Sequence, residues 1–272
     1  MSDMCLMRAR RVLALLLAVS MAGVAGAAAR LSFDDLLANL KSPNAKTREE
    51  AAAALGKSRR REAVGGLSAL ARDPESKVRF EAAHALRELR DPAAIPALVT
   101  FTEDPEPDIR QESIVALVEL YIDIDRATGV ERFVEIFSDQ YDGTILPPYM
   151  KVEPSVLRAL TLGLRDDDRR IREESALALG LLGAKSSLNE LGQALQDPEP
   201  SVRGAAALAI AKLGGTQHGR ALVALLADGA DSVRNRVLHA LGVLKVREAG
   251  PALRRCSRRT DGRRWGCVRS RR

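Results

Sequence analysis

Asp197-Pro198-Glu199-Pro200-Ser201-Val202-Arg203, with the apolar run that follows to Leu213, is one copy of a segment that recurs along the chain. With its arginine as position zero, the same place is held by Arg48, Arg79, Arg110, Arg172, Arg203 and Arg234. The interval between successive arginines is constant and is doubled once, between Arg110 and Arg172. A fixed period of about 31 residues lies within the range of about 20 to 50 that marks a solenoid, in which each unit buries its apolar face only against its neighbours. Six positions before the arginine stand Ser42, Asp73, Asp104, Asp166, Asp197 and Asp228, and proline follows in four copies (Pro43, Pro74, Pro105, Pro198). An Asp-Pro pair stops a helix and turns the chain, since proline has no N–H and restricts the residue before it. Pro107 and Pro200 fall where a first helical residue is expected, a position proline tolerates.

After the arginine, positions +3, +7 and +10 give Ala82, Leu86, Leu89; Ser113, Leu117, Leu120; Ser175, Leu179, Leu182; Ala206, Ile210, Leu213; Val237, Leu241, Leu244. This spacing puts small and large apolar residues on one helix face. The small residue at +3 lets a neighbouring helix approach. A second helix is expected after a polar turn, with leucine at +19: Leu67, Leu98, Leu160, Leu191, Leu222 and Leu253. The expected fold is therefore all-α, an α-solenoid of stacked helix–turn–helix units. The charged pair repeated in every copy is expected to form an inter-repeat ladder. Its members are Arg48, Arg79, Arg110, Arg172, Arg203 and Arg234, with Asp73, Asp104, Asp166, Asp197 and Asp228.

Written as Asp-Pro-x-x-x-Val-Arg followed by Ala-x-x-x-Leu-Gly-x-Leu, the unit resembles HEAT repeats of the short kind found in phycobilisome lyase subunits. Gly56, Gly180 and Gly242 match that pattern at +8, while Arg87, Val118 and Ala211 depart from it. The resemblance spans roughly residues 40–255. It implies bilin-lyase activity as the enzymatic alternative, although those lyases act on cytoplasmic phycobiliproteins. Deoxyhypusine hydroxylase is similar as an array, and its di-iron centre is held by His-Glu pairs. No adjacent His-Glu pair occurs here, so neither iron nor any other cofactor is expected. Tetratricopeptide and ankyrin arrays have periods of about 34 and 33 residues and signature residues that this chain lacks.

Over its 272 residues the chain has a formal charge of +6 and only 3% aromatic residues. The charge is unevenly placed. Residues 254–272 hold nine arginines and one aspartate, residues 1–27 carry Arg8, Arg10, Arg11 and Asp3, and the stretch between is mildly acidic. Specific nucleic-acid binding by the array is therefore not expected. The basic tail, 256–272, is expected to be disordered and able to contact polyanion or anionic lipid. Cys256 and Cys267 lie in it, with pairing and free thiols both open.

Residues 1–29 have the form of a signal peptide. Three arginines precede an apolar stretch from Val12 to Val24, and small residues offer cleavage near Ala27 or Ala29. Export, to a periplasmic location, is the expectation, with an uncleaved N-terminal membrane anchor as the alternative. Residues 30–40 are expected to cap the array, with Ser32 as N-cap and Phe33, Leu36, Leu37 and Leu40 on one face. The array is expected over residues 30–255 in about seven units.

The unit at 134–165 is expected to be degenerate, because Tyr141 stands where its arginine should be. Asp142-Gly143 and Pro147-Pro148 break any helix there, so a loop is expected over 138–151 in place of the unit's first helix. Phe137, Tyr141, Asp142 and Tyr149 on or beside it are candidate partner-binding residues, against the alternative that they plug exposed apolar surface. Asp123, Asp125, Asp139 and Asp142 fit no EF-hand spacing. No nucleophile elbow, phosphate loop, metal-spaced cluster or catalytic triad is present. The expected function is a non-catalytic scaffold that binds another protein along a concave surface made by the second helices.

Overall fold

The computed structural model describes residues 31–122, 151–246 and 249–250. Those residues form helices and turns, with no strand among them. A capping helix α1 (Phe33–Asn39) is followed by units whose first helices are α2 (Ala45–Ser58), α4 (Ser76–Leu89), α6 (Pro107–Tyr121), α8 (Arg169–Leu181), α10 (Pro200–Lys212) and α12 (Asp231–Leu244). The second helices are shorter: α3 (Val64–Ala69), α5 (Ile95–Phe101), α7 (Pro154–Gly163), α9 (Leu188–Ala194) and α11 (Gly219–Ala224). The expected all-α solenoid is what the chain adopts. The segments expected to form the signal peptide and the basic tail, and most of the loop expected at 138–151, lie outside the described residues.

Local chemistry sets the ends of these helices. Ser32 caps α1 through a reciprocal pair: its Oγ accepts from the Asp35 N–H at 3.1 Å, and its own N–H donates to the Asp35 carboxylate at 3.0 Å. Pro107 and Pro200 open α6 and α10. At the far end of each regular first helix, position +11 is left-handed: Arg59, Arg90, Gly183, Gly214 and Lys245, with φ between 50° and 72°. That one residue reverses the chain toward the second helix. Glycine adopts it freely, whereas a residue with a Cβ is disfavoured there by roughly 1–2 kcal/mol. Replacing the exposed Arg59 by glycine is therefore expected to raise stability by about 1 kcal/mol, read as a higher thermal midpoint.

The core is continuous through the stack. Leu55, Leu86, Leu117, Leu179, Ile210 and Leu241 hold the same +7 position and are buried, as are the +19 leucines Leu67, Leu98, Leu160, Leu191 and Leu222. Small residues at +3 let first helices close on one another. Gly56 takes this furthest: a Cβ on it would sit 2.8 Å from the Ala85 Cα.

The third unit departs from the expected organisation. Helix α7 packs beside α5, as consecutive second helices do, and α6 packs directly on α8. Arg110 reaches Asp166 across a sequence separation of 56, where the other rungs span 25. The excess equals one repeat period. Position +11 is Tyr121, still helical, and the next residue, Ile122, is extended rather than left-handed. On the return the Glu153 N–H donates to the Tyr121 hydroxyl at 3.2 Å. Among the described residues α6 and α7 therefore stand as the first and second helices of one unit, while residues 123–150, on which most of the degenerate unit expected at 134–165 falls, lie outside them. Six first helices are present among the described residues. Gly163, at the end of α7, abuts Ser175 of α8 and so seats this second helix against the next unit.

Candidate partner-binding surface

A buried ladder fixes each unit to the next. Arg79 donates through Nε and Nη2 to both oxygens of Asp104, at 2.7 and 3.1 Å, and through Nη1 to the Asp73 carbonyl at 2.9 Å. The same fork joins Arg48 to Asp73, Arg110 to Asp166, Arg172 to Asp197, and Arg203 to Asp228. Each aspartate also accepts a backbone N–H two residues on, as Asp104 does from Glu106 at 2.9 Å. Burial raises the carboxyl pKa of Asp73 and Asp228, but the guanidinium and that N–H outweigh it and hold both below the usual range. Arg234 contacts the carbonyl of Asp228 and the carboxylate of Asp231. These groups are spent on one another, so the ladder is an assembly device with no free valence for a ligand.

The first helices carry a second set of polar residues, on the face turned away from the second helices. Here the side chains at +1, +2 and +5 meet across neighbouring units. His84 Nδ1 lies 2.7 Å from Glu112, and Arg87 bridges Glu112 at 3.2 Å and Glu119 at 2.7 Å, so α4 is tied to α6. The hydrogen bond to Glu112 raises the His84 pKa against the opposing effect of burial. Burial pushes Glu112 up, yet His84 and Arg87 bring it below its ordinary value. Phe80 stacks parallel on His84 and stays 37% exposed. Glu81 is raised by burial, with Glu49 and Glu88 nearby adding to the shift. Gln111 of α6 donates to Glu174 of α8 at 2.6 Å.

On this face the first helices approach one another closely. Arg236 of α12 lies 3.7 Å from Glu173 of α8 and donates to the Ser201 carbonyl, passing over α10 at Gly204. A Cβ at Gly204 would stand 2.7 Å from the Arg236 Cδ. Two side chains span three consecutive helices only where those helices crowd together. The sequence alone suggests the second helices for the concave surface; the crossing of Arg236 makes this face of the first helices the other candidate. On the opposite side, α7 and α9 flank an open, mainly apolar groove of about 400 Å³ lined by Pro154, Leu157, Leu162, Ser187 and Glu190.

Of the residues nominated as partner-binding, Phe137, Tyr141, Asp142 and Tyr149 lie outside the described residues. The insertion that carries them leaves from Ile122 and returns by Glu153, at the turn between α6 and α7. Phe80, His84, Glu174 and Arg236 are not singled out by the sequence. Their positions vary from unit to unit and so read as an ordinary solvated face. The available signal is the column of glutamates at +2: Glu50, Glu81, Glu112 and Glu174. Among the described residues no group of three or more His, Cys, Asp or Glu side chains is placed to hold a metal.

A model of HEAT repeats matches residues 33–118 and 157–242, so the chain belongs to the HEAT-repeat family. The gap between the two matched stretches falls on the insertion. Solved structures share the fold. An engineered protein superposes with TM-score 0.54 at 21% identity, over 79% of this chain and 98% of its own. A designed armadillo repeat protein in complex with the peptide (KR)4 gives 0.54 at 18%, over 78% and 99%. The CpcE–CpcF complex of phycocyanin lyase from Nostoc sp. gives 0.46 at 25%, over 84% and 83%. No curated protein matches significantly.

Proposed function

We propose that this protein is a non-catalytic, exported scaffold that holds another protein along the inner face of its first helices. What carries the proposal is the run of side chains that successive units contribute to that face, with the exposed Phe80 ring on α4 among them. Repeat arrays present such surfaces because each unit adds a few side chains to a continuous strip. An aromatic ring in a polar rim is the kind of anchor that dominates a protein interface. The designed armadillo protein, a solenoid of this general shape in complex with a peptide, supports the same reading. The insertion residues Phe137, Tyr141, Asp142 and Tyr149 are proposed as a second point of contact. The arginine-rich tail is proposed to add contact with polyanion or anionic lipid. Among the described residues no helix is long and apolar enough to cross a membrane.

The test is affinity capture of the tagged full chain from envelope and cytoplasmic fractions of its host, beside Phe80→Glu and a chain lacking residues 138–150. The expected result is an envelope protein whose recovery drops at least tenfold with Phe80→Glu, as for an interface anchor worth about 1.4 kcal/mol or more. Recovery of the same partner by Phe80→Glu would move the site off the inner face. Capture confined to the cytoplasm would remove the export proposal. Visible absorbance from a bound chromophore in the purified protein would overturn the non-catalytic reading.

A further inference from the structure

Glu174 stands at the centre of the array, on α8 and facing α6, and only 2% of it is exposed. One carboxyl oxygen accepts the single hydrogen bond from Gln111 at 2.6 Å, and the other is buried with no hydrogen-bond partner. The neighbouring Ser175 hydroxyl on the same helix is also buried and unpartnered. Among the described residues no cation compensates the site. Arg170, whose positive charge acts on the site, donates to Asp168 and Asp108, while Glu173 takes Arg236 and Glu112 takes His84 and Arg87. The charged groups that act on Glu174 are Glu112 from α6 and Arg170 and Glu173 from α8, with Asp108 of α6 paired to Arg170 and Arg236 of α12 to Glu173. An ionised carboxylate in this place would be a buried, uncompensated charge, which is strongly unfavourable, whereas the neutral acid needs only the bond it has.

We propose that Glu174 is a protonation-controlled latch, whose neutral carboxyl closes the junction between the third and fourth units and whose ionisation parts α6 from α8. The consequence is a change in curvature of the inner face, whatever binds there. The junction is suited to this role. It is the one the insertion interrupts, and the next junction has Ala205 in the corresponding place, with no charge to titrate. Burial raises the Glu174 pKa from an ordinary 4.5 to about 8. The folded state thus holds a proton that the unfolded state has already released, and the stability it contributes falls as pH rises from 4.5 towards 8. Above that point the contribution is fully lost and stability no longer changes with the ionisation of Glu174.

The experiment is hydrogen exchange of the full chain between about pH 6 and 9.5, corrected for the intrinsic pH dependence, on wild type and Glu174→Gln. Glutamine keeps the acceptor for Gln111 and cannot ionise. Opening of α6 and α8 amides should increase by up to about tenfold per pH unit below about pH 8 in wild type and level off above it. It should stay flat in Glu174→Gln, and α12 amides should be unaffected in both. His84 titrates against Glu112 on α6, but it is unchanged in the variant and cancels in the comparison. Equal pH dependence in the two proteins would overturn the latch. An infrared spectrum provides an independent check: a protonated-carboxyl band at pH 7 that Glu174→Gln abolishes is expected, and no such difference would also overturn it.

Discussion

Arg110→Ala is expected to destabilise the protein by about 3 kcal/mol, the scale of breaking a buried, hydrogen-bonded ion pair by removing one partner. Only 14% of the Arg110 side chain and 13% of the Asp166 side chain are exposed. The guanidinium makes two bonds to the Asp166 carboxylate, at 2.8 Å each, and further bonds to the carbonyls of Asp104 and Pro105. Truncation leaves that carboxylate without its counter-charge and two carbonyls without a donor. Arg110→Lys is expected to recover only part of the loss, because an ammonium cannot bond both oxygens in the plane of the carboxylate. Chemical denaturation provides the check. A loss below about 1 kcal/mol for Arg110→Ala, the range of an exposed pair, would mean that the rung is not formed and that α6 and α8 are not neighbours.

The second large effect concerns two glycines at the same place in the repeat, for which opposite signs are expected. Gly56 and Gly242 both stand at +8. A Cβ on Gly56 would meet the Ala85 Cα at 2.8 Å, a backbone atom that moves only if α4 moves, whereas a Cβ on Gly242 meets nothing within 4 Å. Gly56→Ala is therefore expected to cost about 2 kcal/mol, since overpacking outweighs the better helix propensity of alanine. Gly242→Ala is expected to gain about 0.5–1 kcal/mol from that propensity alone. Thermal unfolding of the pair decides it, and equal effects would show that the +8 glycine responds to helix propensity and not to the approach of α4.

How much of this was legible in the sequence depended on whether the signal was local or relational. The arginine at position zero and the aspartate six before it could be read directly, because each turn needs the same chemistry in every unit. The pairing across units was equally regular wherever one arginine and the next unit's aspartate keep the common separation. The third unit is harder to read because the gap from Arg110 to Arg172 is twice the period, so counting alone does not tell a degenerate unit from an insertion within one. The corrective signals were present. At the regular rung distance after Arg110 the chain has Glu135 in place of an aspartate, and +11 is Tyr121 where the regular units carry glycine, arginine or lysine. Glu174 was hidden for a different reason. A glutamate at +2 is exposed at Glu50 and buried at Glu174, and only the closeness of α6 to α8 distinguishes them.

We propose that the array has six units, and the most direct test is to remove the excess. A chain lacking residues 122–152, with Tyr121→Gly, joins the new glycine directly to Glu153 and Pro154. It restores both the left-handed turn at +11 and, between Arg110 and Asp166, the separation of 25 that the regular rungs have. Its thermal unfolding should be a single transition with a midpoint equal to or above that of the full chain. A midpoint lower by about 10 °C or more, the scale of losing several kcal/mol of packing, or a second transition, would mean that the removed residues complete a unit of the stack, and the six-unit account would fall.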